Sequence, residues 1–294
     1  MTASSTRAWT TREESLRCLD RLPLPAMMGT QLLGRLARRN CDLIDLAAFI
    51  EKDALLSVQV LELANSALFG RLRTIHSVRH AVAMIGVNTV RKFALARSFA
   101  NLFLRQRTAP CFSITRFNVH SVATGTLAEI LAGELPVEHG SDAFMAGLLH
   151  DVGKLILAAG MPDKYEAVLS LAAVTHEPLL ECERSVLGVD HAELSRLAIA
   201  RWQLPEAVRL AAGYHHAPET AARFERTPEG RVGLSVVVQQ ADLWVNYLGM
   251  SVLPVPVAST PQPPCLEFSG HAPSLDRVLA RFQPECAGLT ELFH

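Results

Sequence analysis

Residues 146–157 read AGLLHDVGKLIL, an apolar run interrupted only by His150, Asp151 and Lys154. With its flanks, the run predicts a helical stretch over roughly 141–160. On a helix, His150 and Asp151 lie about 100° apart, so both reach one ion only if it sits in a groove between this helix and its neighbours. Gly147 and Gly153 flank the pair and remove side chains that would hold those neighbours away. Lys154 follows one turn after His150 and three residues after Asp151, on the same face, where its ammonium can meet a bound phosphate.

Further along the chain, other polar residues recur on or beside apolar helical patterns. His120 lies in FNVHSVATGTLAEILA, His191 in GVDHAELSRLAIARW, His215-His216 in AAGYHHAPE and Asp242 in VVVQQADLWVNYLG. A carboxylate such as Asp242, buried among Val236, Val237, Val238, Leu243 and Val245, needs a cation, a hydrogen-bond donor or a metal to offset its desolvation. Imidazole and carboxylate together suit iron, manganese, nickel or zinc, whereas an all-oxygen set suits magnesium or calcium. His76, His80, His139, His176, His271 and His294 read as hydrogen-bonded structural histidines. Asp190 with Glu193 three residues on reads as a helix N-cap and capping box, Lys154 also suits a helix end, and His216 also reads as a solvated partner of Glu219.

The rest of the 294 residues follow helical periodicity, with no convincing alternating strand pattern and no internal repeat. Asp42 and Asp53 cap amphipathic helices, Asn65-Ser66 and Gly70 close that segment, Ser77 opens the next, and Gly86 separates it from a helix carrying Val90, Phe93, Ala94 and Arg97. Further helices are predicted over roughly 113–133, 162–176, 190–202, 205–213 and 231–249, with Pro162, Pro178, Pro205 and Pro218 as punctuation. From 251 onward Pro254, Pro256, Pro261, Pro263 and Pro264 make an extended arm before a short closing segment around Leu275–Leu279. The expected organisation is a flexible N-terminus over 1–14, a helical subdomain over 15–108, a second helical subdomain over 109–250 and a proline-rich arm and tail over 251–294.

Composition narrows the function classes. Hydrophobic residues make up 49% and charged residues 19%, which excludes a disordered chain. The first twenty residues lack a signal-peptide core and no run of about 18 consecutive apolar residues occurs, so a cytoplasmic address with no membrane association is expected. Six cysteines without a CxxC pair argue against a zinc knuckle or a disulfide framework. The net charge is −1, yet between Glu62 and Glu129 there is no acidic residue, while Arg71, Arg73, Arg79, Arg91, Lys92, Arg97, Arg105, Arg107 and Arg116 fall there. Such a stretch forms a basic face for an acidic partner or a nucleotide, or it pairs with the acidic remainder of the chain.

The ordered set of motifs resembles the HD-domain superfamily and, within it, the HD-related output domain, HDOD. LPLPAM at 22–27, IEKDALLSVQVLELANSALFG at 50–70, SVRHAVAMIGVNTVRKFAL at 77–95, LLHDVGKL at 148–155 and GVDHAELSRLAIARWQLPE at 188–206 carry the resemblance, which runs from about residue 15 to 250. It implies an all-α, multi-helix HD-type bundle with an N-terminal helical subdomain packed against it. Compared with the related HD-GYP phosphodiesterases, it implies a divalent transition-metal site of one or two ions, of iron, manganese, nickel or zinc, held by His120, His150, Asp151, His191, His215, His216 and Asp242. Arg116 stands one turn before His120, where some of those enzymes carry an acidic ligand, and HHAPE is not followed by the GYP signature.

The function expected on this basis is an HDOD-type signalling or regulatory protein that binds a protein partner or a nucleotide. The alternative is a metal-dependent phosphohydrolase in which Lys154 stabilises the phosphate. A third reading takes 77–97 as a DNA-binding helix-turn-helix. Specific DNA binding is not expected, because Val82, Ile85, Val90, Phe93 and Leu95 cover much of the second helix with apolar surface.

Overall fold

Asp42, Asp53, Ser77, Ser113 and Asp190 each accept a hydrogen bond from the backbone N–H three residues on, at 2.7 to 3.2 Å. Each therefore opens a helix by satisfying a donor that the helix itself leaves unpaired. The computed structural model describes residues 11–21, 42–66, 74–103, 106–253, 264, 268 and 270–290. The LPLPAM motif, Gly70, Cys41, Cys265 and most of the proline arm lie outside the described residues.

Before the candidate site, α1 (Thr11–Arg17) runs into a 3-10 turn, and α2 (Leu43–Ile50), α3 (Ala54–Ala64), α4 (Val78–Ile85) and α5 (Val87–Phe103) pack on one another. Asn65 closes α3 and ties it to the start of the next segment: its amide donates to Leu61 O and Ile75 O, and its carbonyl accepts from Ile75 N. The central element is α6 (Ile114–Glu134), against which α5 and α7 (Ala143–Leu149) pack. Then follow α8 (Val152–Gly160), α9 (Pro162–Thr175), α10 (Leu179–Leu187), α11 (His191–Arg201), α12 (Glu206–Tyr214), α13 (Pro218–Glu225), α14 (Leu234–Tyr247) and α15 (Leu275–Thr290). Among the described residues there is no strand, only two isolated bridges, so the fold is all-α as expected.

A single apolar cluster runs from Leu46 and Val60 in α2 and α3 to Val238 in α14 and Phe282 in α15. Aromatic contacts carry it between elements, with Phe99 of α5 6.4 Å from Phe117 of α6 and 6.2 Å from Trp202 after α11. The Gly140–Gly160 stretch is long and apolar enough to cross a membrane by composition, but most of it is buried inside this core.

Several elements differ from the sequence reading. The stretch over 141–160 is two α-helices joined at His150-Asp151, where Asp151 takes φ −102° and ψ 9°. The turn re-aims two adjacent polar side chains that a continuous helix would splay. α10 and α13 were not anticipated, and the closing segment is a helix from Leu275 to Thr290 whose Val278, Phe282, Cys286 and Leu289 are buried.

The basic stretch also resolves differently from a free basic face. Arg91 and Lys92 are buried: Arg91 lies 3.6 Å from Glu129, and Lys92 lies 2.9 Å from both Glu129 of α6 and Glu285 of α15. Arg116 donates to the carbonyls of Ser251 and Leu253. Arg79 and Arg107 are exposed, while Arg71, Arg73 and Arg105 lie outside the described residues. With both turned inward, neither Arg91 nor Lys92 is presented on α5 to a phosphate or a base edge.

Candidate metal centre

Two close approaches between helices make room for the site. Gly147 of α7 lies against Gly125 of α6 so closely that a Cβ on Gly147 would sit 2.7 Å from Gly125 Cα. A Cβ on Gly153 would sit 2.0 Å from the carbonyl oxygen of His191, so the start of α8 abuts the start of α11. Ser195 fixes that second junction by accepting from Gly153 N at 2.9 Å. His120 on α6, His150 and Asp151 between α7 and α8, His191 on α11, His215 and His216 after α12, and Asp242 on α14 are thereby brought together.

Four of the five imidazoles are held from behind. Nδ1 of His120 donates to Met250 O at 3.0 Å, that of His150 to Gly147 O at 2.8 Å, that of His215 to Ala212 O at 2.8 Å, and that of His191 to the Glu183 carboxylate at 2.6 Å. These partners only accept, so each Nδ1 carries a proton and each Nε2 faces inward. The ligand atoms fall into two groups, His120, His150, Asp151 and Asp242, and then Asp151, His191, His215 and His216, each with its atoms within 4.8 Å of one another. Asp151 belongs to both. Its Oδ2 lies 3.5 Å from His120 Nε2 and 3.4 Å from His150 Nε2, and its Oδ1 lies 3.4 Å from His191 Nε2 and 3.7 Å from His215 Nε2. Asp242 Oδ1 lies 3.1 Å from His120 Nε2 and accepts from Asn246 at 2.8 Å.

This donor set fits a divalent transition-metal cation. Converging lone pairs and two buried carboxylates repel unless a cation or protons lie among them, and Asp151 Oδ1 and His215 Nε2 are buried with no hydrogen-bond partner. Burial disfavours the charged forms of His150, Asp151 and Asp242, but their mutual attraction wins. It holds His150 up to about 10 and both carboxyl groups well below their usual range. In the second group, burial and neighbouring rings push His215 well down, and desolvation together with His191 pushes His216 down to about 3 even though part of that residue reaches solvent. Rings kept neutral in this way are available as ligands. Lys154 places Nζ 2.5 Å from Asp151 Oδ2, which raises its pKa against the opposing effect of burial.

All seven residues singled out as ligands from the sequence thus face one another, and His216 points to His191, 2.9 Å away between Nε2 atoms. Asp190 is the helix cap expected of it, while Glu193 binds Arg12 instead of closing a capping box. Glu183, Tyr165 and Asn246 were missed. A signal for Glu183 was present: it lies within the 3.6-residue apolar pattern of Leu179, Cys182, Val186 and Leu187, where a solvated glutamate does not belong.

A family model described as HDOD domain matches residues 22–218, about two thirds of the chain. A protein of Treponema pallidum (strain Nichols), described as uncharacterised, is 24% identical over 216 residues, or 71% of this chain; the match spans 39% of the length of that relative. A crystal structure of an HDOD domain protein of unknown function from Geobacter sulfurreducens has a TM-score of 0.68 at 23% identity, covering 84% of this chain and 83% of that one. The structure of a candidate phosphohydrolase from Shewanella amazonensis SB2B has a TM-score of 0.69 at 19% identity, covering 96% and 98% of the two chains. At these identities the structural likeness shows a shared fold.

Proposed function

The chain belongs to the HDOD family, and we propose that it is a signalling or regulatory member that keeps an HD-type metal centre and acts by binding a protein partner or a nucleotide. The observation that carries this reading is the convergence of Nε2 atoms from separate helices on the two oxygens of Asp151. His120, His150, Asp151 and Asp242 would hold one ion, and His191, His215 and His216 would hold a second with the other oxygen of Asp151. Iron, manganese, nickel and zinc match the donors. The basic stretch supports a nucleotide or acidic partner less than its composition suggests, because Arg91 and Lys92 are spent on Glu129 and Glu285.

A second reading, a metal-dependent phosphohydrolase, is favoured by the completeness of both ligand groups and by Lys154. When bound, the metal would act as a Lewis acid on a phosphoryl oxygen. Lys154 would hold Asp151 in place and supply positive charge beside it, and the partly exposed His216 marks the side from which a phosphate could enter. Arg116 does not supply an acidic ligand and is engaged by backbone carbonyls of the 251–253 segment, which argues for altered recognition of cyclic dinucleotides.

Metal analysis of purified protein, coupled to a screen of phosphomonoesters, cyclic and linear nucleotides, separates the two readings. The expected result is one or two transition-metal ions per chain, reduced in Asp151→Ala, with little or no turnover. A folded protein that stays metal-free after supplementation overturns the metal centre. Efficient turnover lost in folded Asp151→Ala and Lys154→Ala proteins replaces the regulatory reading with the enzymatic one.

A further inference from the structure

Glu183 is wholly buried on α10, and among the described residues His191 is its only ion-pair partner. Its Oε2 accepts two hydrogen bonds from that one residue, from the backbone N–H at 2.8 Å and from ring Nδ1–H at 2.6 Å. Its Oε1 accepts from the hydroxyl of Tyr165, on α9, at 3.1 Å. Burial and the neighbouring carboxylate push the Tyr165 hydroxyl well up, so it remains a donor. Among the described residues no lysine or arginine is in ion-pair contact with it, although the buried Lys154 ammonium is near enough to feel its charge. Such a buried carboxylate is costly, and packing alone would be met by an apolar side chain of similar volume.

The chain around this carboxylate is held at both ends. Ser15 of α1 donates to Leu187 O and Arg12 to Gly188 O, which anchors the turn between α10 and α11, and Arg184 donates to Asp190 at 2.8 Å. The separation between Glu183 and His191 is thereby set by the fold. Anionic backing is also selective. His120, His150 and His215 are held by backbone carbonyls, whereas His191 is held by a carboxylate side chain, the stronger acceptor for fixing a ring N–H.

We infer that Glu183, backed by Tyr165, is a positioning residue for the second ligand group: it keeps the proton on His191 Nδ1 and aims the Nε2 lone pair at a divalent metal ion shared with Asp151, His215 and His216. It thereby tunes that group's affinity apart from the first group's. The inference rests on the metal-centre reading above.

Two measurements test it. In metal-free protein, long-range proton–nitrogen NMR on 15N-histidine-labelled chain reads the tautomer of His191; Nδ1–H is expected, and an Nε2–H tautomer overturns the inference. Titration with manganese(II), followed by metal analysis and electron paramagnetic resonance, reads the two groups. Wild-type protein is expected to take two ions. Glu183→Gln is expected to weaken the second by about 10- to 100-fold while leaving the first nearly unchanged, with a smaller effect in the same direction from Tyr165→Phe. Equal binding by folded variants and wild type overturns the inference, as does a parallel loss at both groups. If Glu183→Gln does not fold, Tyr165→Phe and the wild-type tautomer decide. A wild-type chain that binds no manganese removes the metal-centre reading, and this inference with it; two ions bound by wild type and unchanged in the variants remove this inference alone.

Discussion

Asp151 has two oxygens and both are used, one toward each ligand group, while Gly147 and Gly153 on either side of it are occupied by other backbones. The site therefore depends on what is absent at two positions as much as on what is present at seven. Gly153→Ala would place a methyl group against the His191 carbonyl, and because backbone cannot yield as a side-chain tip does, α11 must move. The expected cost is roughly 1–3 kcal/mol or more in denaturant unfolding, with reduced metal uptake. An alanine variant as stable as wild type would show that the approach of α8 and α11 is looser than described. Arg116 makes a different prediction. Its guanidinium holds the carbonyls of Ser251 and Leu253, beside the Met250 carbonyl that accepts from His120. Arg116→Ala should raise hydrogen exchange across 250–253 with little change in α6; unchanged exchange there would mean that the segment is held by other contacts. At this scale His150, Asp151 and their glycines were legible because unusual residues stood in an apolar run. Glu183 is legible only as a glutamate inside an apolar pattern, and its pairing with His191 is not, since that partner lies across a turn.

Elements show how the basic stretch is absorbed. Lys92 on α5 joins α6 through Glu129 and α15 through Glu285, so one buried ammonium locks three helices. Lys92→Met leaves Arg91 facing Glu129 and leaves Glu285, which keeps contact with water, unpaired. A loss of roughly 1–3 kcal/mol is expected, below the cost of breaking a fully buried pair. Chemical denaturation checks the number. If the same change instead left stability intact and abolished a salt-sensitive affinity for DNA, the packed role of α5 would be wrong. The caps at Asp42, Asp53, Ser77 and Asp190 were readable because capping is a local hydrogen bond between residues three apart. The break at His150-Asp151 was not, because it is imposed by what the two side chains face across the bundle.

For the whole molecule, the cluster running from α2 to α15 couples the helices before the candidate site to those that build it. One cooperative transition is expected from calorimetry and from probes on either side, because no layer can open without exposing apolar surface of the next. Two separate transitions would contradict a shared core. A bound ion stabilises the folded state alone, so chelation should lower the melting temperature and readdition should restore it. No shift on chelation of a metal-loaded chain would mean that the ion sits elsewhere. The sequence by itself determined the all-α class, the capped helix starts at Asp42, Asp53, Ser77 and Asp190, and which seven polar residues stand out as candidates, since periodicity, caps and polar residues in apolar runs are local signals. Only the tertiary structure decided that Asp151 is shared between two groups, that Glu183 and Tyr165 stand behind His191, and that Arg91 and Lys92 face inward. Those outcomes depend on distances between residues far apart in the chain, which packing sets and no local pattern encodes.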